Sequence, residues 1–320
     1  MIKQTDKIFV AGHTGLVGSA LVRALRQAGF VNLLLRTHAE LDLTRQAAVE
    51  KFFSEHRPDY VFLAAAKVGG IMANNTQRAD FIFQNLSIQL NVIESARRYG
   101  VKRLLFLGSS CIYPKHCRQP MSESDLLSGY LEKTNEPYAI AKIAGIKMCE
   151  ASNAQYHTQF ISVMPTNLYG QNDNFDLQTS HVLPALIRKI DEAKMNGLPT
   201  VVIWGSGKPL REFLHVDDLA SACLCVMNHE AECSVVNVGS GEEITIGTLA
   251  ALICEIMGYD GCLVFDTNKP DGTPRKLLNS EKIHQLGWRA TISLREGIAK
   301  TVEWFLQHHG KSHVEYSGCA

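Results

Sequence analysis

The chain has 320 residues, and its 32 basic and 32 acidic side chains leave a formal net charge of zero at pH 7. This balance excludes the basic excess of proteins that bind nucleic acid or an anionic membrane surface. We expect no membrane span and no targeting segment, since no apolar run is long enough and the first residues lack a signal-peptide pattern. The nine cysteines lack metal-type pairs, so we expect no metal and reduced thiols in a cytoplasmic protein.

The first element predicted along the chain is a strand followed by a glycine-rich turn and a helix. The apolar run 8–11 precedes Gly12, Gly15 and Gly18, and an amphipathic stretch covers residues 19–28. Gly12 permits a tight turn, Gly15 lets the backbone approach a pyrophosphate, and Gly18 allows the helix to pack on the strand. The spacing therefore predicts a dinucleotide-binding loop.

Strand-like and helix-like segments alternate through the first half of the chain. The strands are continuous apolar runs, which is typical of a parallel sheet covered on both faces. We predict an α/β fold with a Rossmann-type, doubly wound parallel sheet, whose ligands bind at the carboxyl ends of the strands. The expected strands are residues 7–11, 31–35, 60–66, 103–108 and 160–164, and the expected helices are 16–28, 44–56, 79–99 and 138–156.

After Gly170 the alternation becomes less regular. We predict an NADP-binding domain at 1–170 and a smaller C-terminal α/β substrate-binding domain at 171–320, with an interleaved boundary. Residues 312–320 are expected to be frayed. The helices expected here are 181–195, 217–227, 246–257 and 294–307, and the strands are 200–204, 235–238 and 262–265.

Tyr138 and Lys142 lie four residues apart, and so share one face of the helix predicted for 138–156. A neighbouring ammonium favours the ionised phenol, so we expect Lys142 to lower the pKa of Tyr138 towards the range of a general acid. Ser109 follows the strand predicted for 103–108 and could bring a hydroxyl to the same place. The three side chains are suited to proton and hydride transfer at a carbonyl.

The glycine-rich loop and the Tyr138–Lys142 pair with Ser109 together resemble the extended short-chain dehydrogenase/reductase family. The glycine spacing matches the cofactor loop of that family, and Ser109, Tyr138 and Lys142 match its catalytic triad. Segments 63–70, 108–114, 165–170 and 204–213 look like the branch that acts on GDP-4-keto-6-deoxy-D-mannose. The resemblance covers nearly the whole chain. It implies 3,5-epimerisation, NADPH-dependent reduction at C4, a GDP-sugar substrate and a homodimer.

The resemblance and the end of the second predicted strand together indicate the cofactor contacts. Arg36 and His38 stand where an acidic residue would select NAD, and a basic residue suits the 2′-phosphate of NADP. Many members of the branch have a basic residue in the loop where this chain has Thr14. The expected NADP contacts are Gly12, His13, Thr14, Gly15, Leu16, Val17, Gly18, Arg36, His38, Leu107, Gly108, Ser109, Ser110, Lys142, Pro165, Thr166, Asn167, Leu168 and His181.

The resemblance also assigns the catalytic roles. Tyr138 is the acid for the C4 oxygen, Lys142 holds the nicotinamide ribose, and Ser109 hydrogen-bonds the same oxygen. A polarised C4 ketone acidifies the hydrogens on C3 and C5, and Cys111 and His181 are the candidate base and acid for inversion. In an extended segment Cys111 would lie on the same side as Ser109, two residues earlier.

Four further residues match positions that contact the GDP-sugar in the resembling enzymes. They are Lys189, Trp204, Arg211 and Asp271. Arg211 can bind a phosphate with two parallel hydrogen bonds, and Trp204 offers a flat apolar wall. Lys189 keeps the charge of the arginine found in many relatives but loses its bidentate geometry.

The sequence leaves other functions open. One is another nucleotide-sugar epimerase, or the enzyme for the 3-deoxy sugar that leads to GDP-L-colitose. A 4,6-dehydratase would show an acidic pair after the triad serine, and Ser110-Cys111 argues against it. An NADP-sensing regulator would typically lose the Tyr–Lys pair, which this chain retains at Tyr138 and Lys142.

Overall fold

A computed structural model describes residues 1–229, 234–269 and 271–309 of the chain. Its centre is a six-stranded sheet formed by β1 (Ile8–Ala11), β2 (Leu33–Leu34), β3 (Tyr60–Leu63), β4 (Arg103–Leu107), β5 (Phe160–Pro165) and β9 (Val235–Val238). The strand order is β2-β1-β3-β4-β5-β9, and every neighbouring pair is parallel. The order reverses at β1, where the chain turns to fill the other half of the sheet. The predicted Rossmann-type architecture is confirmed.

Helices cover both faces of this sheet. On one face lie α1 (Leu16–Gln27) and α7 (Val216–Asn228), which pack against each other. On the other face lie α2 (Gln46–His56), α4 (Arg78–Arg98) and α5 (Glu136–Tyr156). Every residue of β1 and β3 is buried, as continuous apolar strands require when both faces are covered.

A third hydrophobic core lies in the C-terminal part of the fold, between α6 (Val182–Met195), α8 (Ile246–Met257) and α10 (Leu294–His309). There β8 (Leu210–His215) is the central strand, pairing with β6 (Asn167–Tyr169), β10 (Glu243–Thr245) and β12 (Arg275–Lys276), while β7 (Thr200–Trp204) pairs with β11 (Cys262–Asp266). Two short helices lie elsewhere: α3 (Ile71–Thr76) contacts α4, and α9 (Glu281–Gln285) contacts β9.

The chain crosses between the two parts of the fold more than once. Helix α7 packs on α1, and β9 adds the sixth strand to the central sheet beside β5. Both elements come after residue 170. The division into domains 1–170 and 171–320 stays a prediction. Any boundary has to take into account that α7 and β9 pack on the first part of the fold.

Several elements differ from the sequence-based expectation. Strand β2 is two residues long instead of five, because it lies at the sheet edge, where Val31 is 80% exposed. Strand β3 ends at Leu63, and the chain then passes beside the glycine turn. The short elements α3, β6, β8, β10, β12 and α9 were not predicted, since few residues carry each pattern. Residues 312–320 lie outside the described part of the chain.

The glycine turn is required by close packing at two positions. Gly12 has a φ of +83°, and a Cβ there would lie 2.7 Å from the backbone nitrogen of Ala65. A Cβ at Gly18 would lie 2.0 Å from the carbonyl oxygen of Gly12. A side chain at either position would force the backbone apart. This packing places the start of α1 at the carboxyl ends of β1 and β3.

Among the described residues, no helix combines the length and the apolar composition needed to cross a lipid bilayer.

Candidate active site

The N-terminus of α1 forms one wall of the cleft at the carboxyl edge of the sheet. Gly15 is the N-cap residue, and no side chain caps the first amides of the helix. A Cβ at Gly15 would meet only the Gly12 carbonyl oxygen, at 3.6 Å, so the turn is open on this side. In the described residues the buried Nδ1 of His13 has no hydrogen-bond partner. Free amides, an open glycine and a ring nitrogen without a partner fit a pyrophosphate group.

Lys142 lies under the centre of the site, on α5. Its Nζ donates a hydrogen bond to the carbonyl oxygen of Leu107 at 2.6 Å and lies 4.7 Å from the centre of the Phe106 ring. The residue is only 3% exposed. Burial lowers the pKa of Lys142 to about 7, because an ammonium loses its hydration there. The carbonyl at the end of β4 therefore fixes the position of the lysine side chain.

The phenol of Tyr138 lies one helical turn before Lys142 and faces Ser109. Burial, and then the proximity of Cys111, raise the pKa of Tyr138, while a side-chain hydrogen bond with Ser109 opposes this shift. The expectation that Lys142 lowers the pKa of Tyr138 is therefore wrong for this structure. The reason is that Lys142 directs its Nζ to the Leu107 carbonyl and is itself poorly charged. The tyrosine keeps its proton, which is the form that an acid needs.

Cys111 lies near Ser109 and Tyr138, but not in the extended segment that we expected. Residues Ser110–Ile112 form a 3₁₀ turn instead of an extended segment, and the Oγ of Ser109 accepts a hydrogen bond from the Cys111 amide at 3.2 Å. The half-buried thiol lies near the Tyr138 phenol. The turn thus groups the serine, the cysteine and the tyrosine at the end of β4.

His181 is the N-cap residue of α6, but its side chain does not cap the helix. The ring is accessible from the cleft although protein surrounds it on most sides. Burial by the surrounding protein, and then the charge of Lys276, lower the pKa of His181. The preceding segment is held by a hydrogen bond of 2.7 Å from the Gly70 amide to the Thr179 carbonyl. The imidazole is therefore available to a ligand.

The four residues expected to contact the GDP-sugar form two neighbouring pairs. The Nζ of Lys189 lies 5.0 Å from the centre of the half-exposed Trp204 ring and donates to the Val202 carbonyl. The pKa of Arg211 is lowered by burial, and the nearby Cys111 and Asp271 oppose that shift. Asp271 accepts hydrogen bonds from the amide and hydroxyl of Ser206. Arg211 thus lies near both Asp271 and Cys111.

Arg36 and His38 contact different neighbours. The Arg36 guanidinium donates to the Leu35 carbonyl and to the His56 ring, and it lies 5.7 Å from the centre of the Phe52 ring. His38 is largely exposed, with its Nδ1 4.0 Å from an oxygen of Asp42. Selection of the 2′-phosphate by these residues, and the role of the exposed Thr14, stay predictions.

The segment from Pro165 to Leu168 runs from β5 into β6 along the cleft. Thr166 donates its amide to Val238, and its hydroxyl to the carbonyl oxygen of Glu212 at 3.1 Å. Asn167 donates to the same carbonyl at 2.7 Å. Because these bonds fix the backbone, the segment can present groups to a cofactor without rearranging. Leu107, Gly108 and Ser110 lie at the end of β4, the strand that pairs with β5.

Lys276 was not among the predicted site residues, and its Nζ lies 3.7 Å from the Sγ of Cys111. No motif spacing points to it, because the two residues are 165 positions apart. The contact arises only from the pairing of β12 with β8. A basic residue shortly after Asp271 is the sequence signal, and it is a weak one.

Comparisons with known proteins find relatives that match nearly the whole chain. Residues 8–239 match the sequence profile of the NAD dependent epimerase/dehydratase family. A putative GDP-L-fucose synthase 2 of Arabidopsis thaliana is 63% identical over 308 residues, which cover 96% of this chain and 94% of the relative. The GDP-L-fucose synthase of Escherichia coli K12 is 56% identical over 315 residues, covering 96% and 98%.

A similar fold is seen in a crystal structure of a GDP-L-fucose synthetase from Naegleria fowleri bound to NADP. It has a TM-score of 0.89 and 31% sequence identity, and the match covers 97% of each chain.

The buried Lys142 predicts a pH-dependent stability. From about pH 7 to its unfolded pKa of about 10.4, the unfolded lysine binds a proton that the folded one does not, so stability rises with pH. Between pH 7 and 9, urea unfolding of the ligand-free protein should show wild type gaining roughly 2 kcal/mol relative to Lys142→Met. The exposed Lys147 of the same helix supplies the control Lys147→Met, which should show no such change. A constant difference between wild type and Lys142→Met would contradict the assignment.

Proposed function

The chain belongs to the NAD dependent epimerase/dehydratase family, and we propose that it converts GDP-4-keto-6-deoxy-D-mannose into GDP-L-fucose. The reaction combines inversion at C3 and C5 with NADPH-dependent reduction at C4. The observation that carries the proposal is the grouping of Ser109, Cys111 and Tyr138 at the end of β4. This grouping places a carbonyl-polarising pair beside a thiol, as a combined reductase and epimerase requires.

The cleft supports the binding of NADPH. The loop from Gly12 to Gly18 would hold the pyrophosphate at the free amides of α1, and Lys142 would hold the nicotinamide ribose. When bound, NADPH supplies the hydride for C4. The Naegleria fowleri relative is described with NADP bound. The turn needs no rearrangement for this, because Gly12 already packs against Ala65 and Gly18 against Gly12.

Reduction at C4 requires a proton for the carbonyl oxygen. Tyr138 donates it, since burial raises the pKa of the phenol and keeps its proton in place until negative charge develops on the oxygen. Ser109 donates a second hydrogen bond to that oxygen. Two fixed donors aimed at the developing charge stabilise the transition state more than the ground state.

Epimerisation uses the same polarised carbonyl. When the C4 oxygen accepts hydrogen bonds from Tyr138 and Ser109, the C–H bonds at C3 and C5 become more acidic, because the resulting enolate places its charge on that oxygen. Cys111 removes the proton and His181 returns one from the opposite face of the sugar ring. The substrate's diphosphate and base are held by Arg211 and Trp204, with Lys189 and Asp271 beside them.

The proposal includes a homodimer formed by α4 and α5. Phe83 is 66% exposed and Leu90 49% exposed, one below the other on α4, and Ile140 is exposed on α5. The small exposed residues Ala144 and Ala151 continue this face. Such a face on two packed helices suits a two-fold four-helix bundle with a second copy. We also propose a cytoplasmic protein, since the cysteines of the described residues are free thiols.

Replacing Tyr138 with Phe should nearly abolish NADPH oxidation while leaving NADPH affinity largely unchanged, because it removes a proton and little binding surface. Steady-state turnover with GDP-4-keto-6-deoxy-D-mannose and fluorescence titration of NADPH measure the two effects. General acid catalysis is typically worth about 10²- to 10⁴-fold. A variant that keeps more than about a tenth of wild-type turnover would contradict the acid role.

Replacing Cys111 with Ser should stop deuterium exchange at C3 and C5 in D₂O, because a serine hydroxyl is far too weakly acidic to serve as base. Slow NADPH oxidation on the unepimerised sugar should persist, since Ser109 and Tyr138 still polarise the ketone. NMR of the sugar protons measures the exchange. The exposed thiol of Cys262 supplies the control Cys262→Ser, which should behave as wild type. Unchanged exchange in Cys111→Ser would remove it as the base.

Replacing Phe83 with Asp should convert the dimer into a folded monomer, because a buried carboxylate without a partner opposes association. Light scattering after size-exclusion chromatography measures the mass, and circular dichroism checks the fold. Leu306 is exposed on α10, away from the proposed interface, so Leu306→Asp should remain dimeric. A monomeric wild type at micromolar concentration would contradict the dimer.

A further inference from the structure

Lys276 lies beside the proposed base and has no part in the function proposed above. It stands on β12, directly opposite Arg211 of β8. Its Nζ lies 3.7 Å from the Cys111 sulfur, within the range in which an ammonium and a thiolate attract each other strongly. Lys276 also interacts electrostatically with His181, so it faces both members of the proposed epimerisation pair.

Three elements present ionisable groups to the Cys111 sulfur. Tyr138 comes from α5, Arg211 from β8 and Lys276 from β12. The buried phenol of Tyr138 is neutral, so it supplies no positive charge. Arg211 is assigned to the substrate diphosphate, which would neutralise its charge when the substrate binds. Lys276 is then the cation in contact with the sulfur.

We propose that Lys276 is a positioning residue for the epimerisation, whose ammonium holds Cys111 in the thiolate form that removes a proton from carbon. The inference rests on the proposed function, in which one cysteine serves two inversions. In each inversion the thiolate takes the proton, and the electron pair of the C–H bond passes to the C4 oxygen as an enolate. Cys111 is then a neutral thiol and has to lose that proton before it can act again.

The structure provides a place for the proton to leave. A small cavity beside Cys111 is lined by Lys276, Lys115 and Glu132. The latter two form an ion pair of 2.7 Å. Water in this polar cavity can accept the thiol proton, and the adjacent ammonium favours the anion that remains. The same charge therefore forms the base initially and restores it between the inversion at one carbon and the inversion at the other.

The contact can be tested without substrate or cofactor, by the alkylation rate of Cys111 in the ligand-free full-length protein. Iodoacetamide reacts with thiolates, and mass spectrometry of the peptides reports each cysteine separately. At pH 7, Lys276→Met should slow alkylation of Cys111 about tenfold or more, and Lys276→Arg should restore most of the rate. The exposed Cys262 is an internal reference that should react equally in every variant.

Arg275 provides a matched control on the same strand. Its guanidinium pairs with Glu243, with an Nε–Oε1 distance of 2.7 Å, and so is neutralised there. Arg275→Met removes an adjacent cation and should leave the Cys111 rate unchanged. Equal Cys111 rates in wild type and Lys276→Met would overturn the proposal. So would a loss of rate in Lys276→Arg as large as in Lys276→Met, because charge would then not be the cause.

Turnover separates this role from substrate binding. At saturating substrate in D₂O, Lys276→Met should slow deuterium exchange at C3 and C5 about tenfold or more, with Lys276→Arg intermediate. A raised KM with unchanged exchange at saturation would mean that Lys276 binds the diphosphate, and would overturn the proposal. Absence of exchange in the wild type would refute the proposed function instead, while the alkylation rates would still decide the Lys276–Cys111 interaction.

Discussion

A single buried carboxylate, that of Glu212, holds together the segments that carry the site. Its two oxygens accept hydrogen bonds from the amides of Gly241, at 2.8 Å, and Leu278, at 3.0 Å, and the residue is 0% exposed. The backbone carbonyl oxygen of Glu212 accepts hydrogen bonds from the side chains of Thr166 and Asn167. Burial raises the pKa of Glu212, and the backbone donors oppose that shift. A buried carboxylate is tolerated only when such donors replace its hydration, so these loops must keep their positions.

The chemistry follows from what these fixed segments bring to the carboxyl edge of the sheet. Strand β4 supplies the turn with Ser109 and Cys111, and α5 supplies Tyr138 and Lys142. Strand β8 supplies Arg211, and the strand paired with it supplies Lys276. In the proposed mechanism one polarised carbonyl serves both reactions, because the donors that stabilise an alkoxide during reduction also stabilise an enolate during inversion. The thiol beside them would add epimerisation to reduction.

Much of this arrangement could be predicted from the sequence, because local patterns determine it. The continuous apolar strands indicated the parallel sheet, and the spacing of Gly12 and Gly18 predicted a turn that the packing against Ala65 then required. The Tyr138–Lys142 spacing placed both side chains on one helical face. Features that depend on long-range contacts could not be predicted. These include the pairing of β8 with β12 and hence the place of Lys276.

The pKa shifts and the partners of charged side chains could not be predicted from local patterns either. The direction of the Tyr138 pKa depends on burial and on where Lys142 directs its Nζ, and neither follows from a four-residue spacing. The same applies to Arg36, whose guanidinium is engaged by the ring of His56. In each case a charged or polar group finds a partner in an element distant in sequence, which only the tertiary structure determines.

We propose that one active site performs two inversions and one reduction on the same sugar. The most direct test is the product that the wild-type enzyme forms from GDP-4-keto-6-deoxy-D-mannose and NADPH in D₂O, examined by proton NMR. We expect GDP-L-fucose with deuterium at both C3 and C5 and one NADPH oxidised per product molecule. A reduced product that retains protium at both carbons, or exchange without any NADPH oxidation, would contradict it.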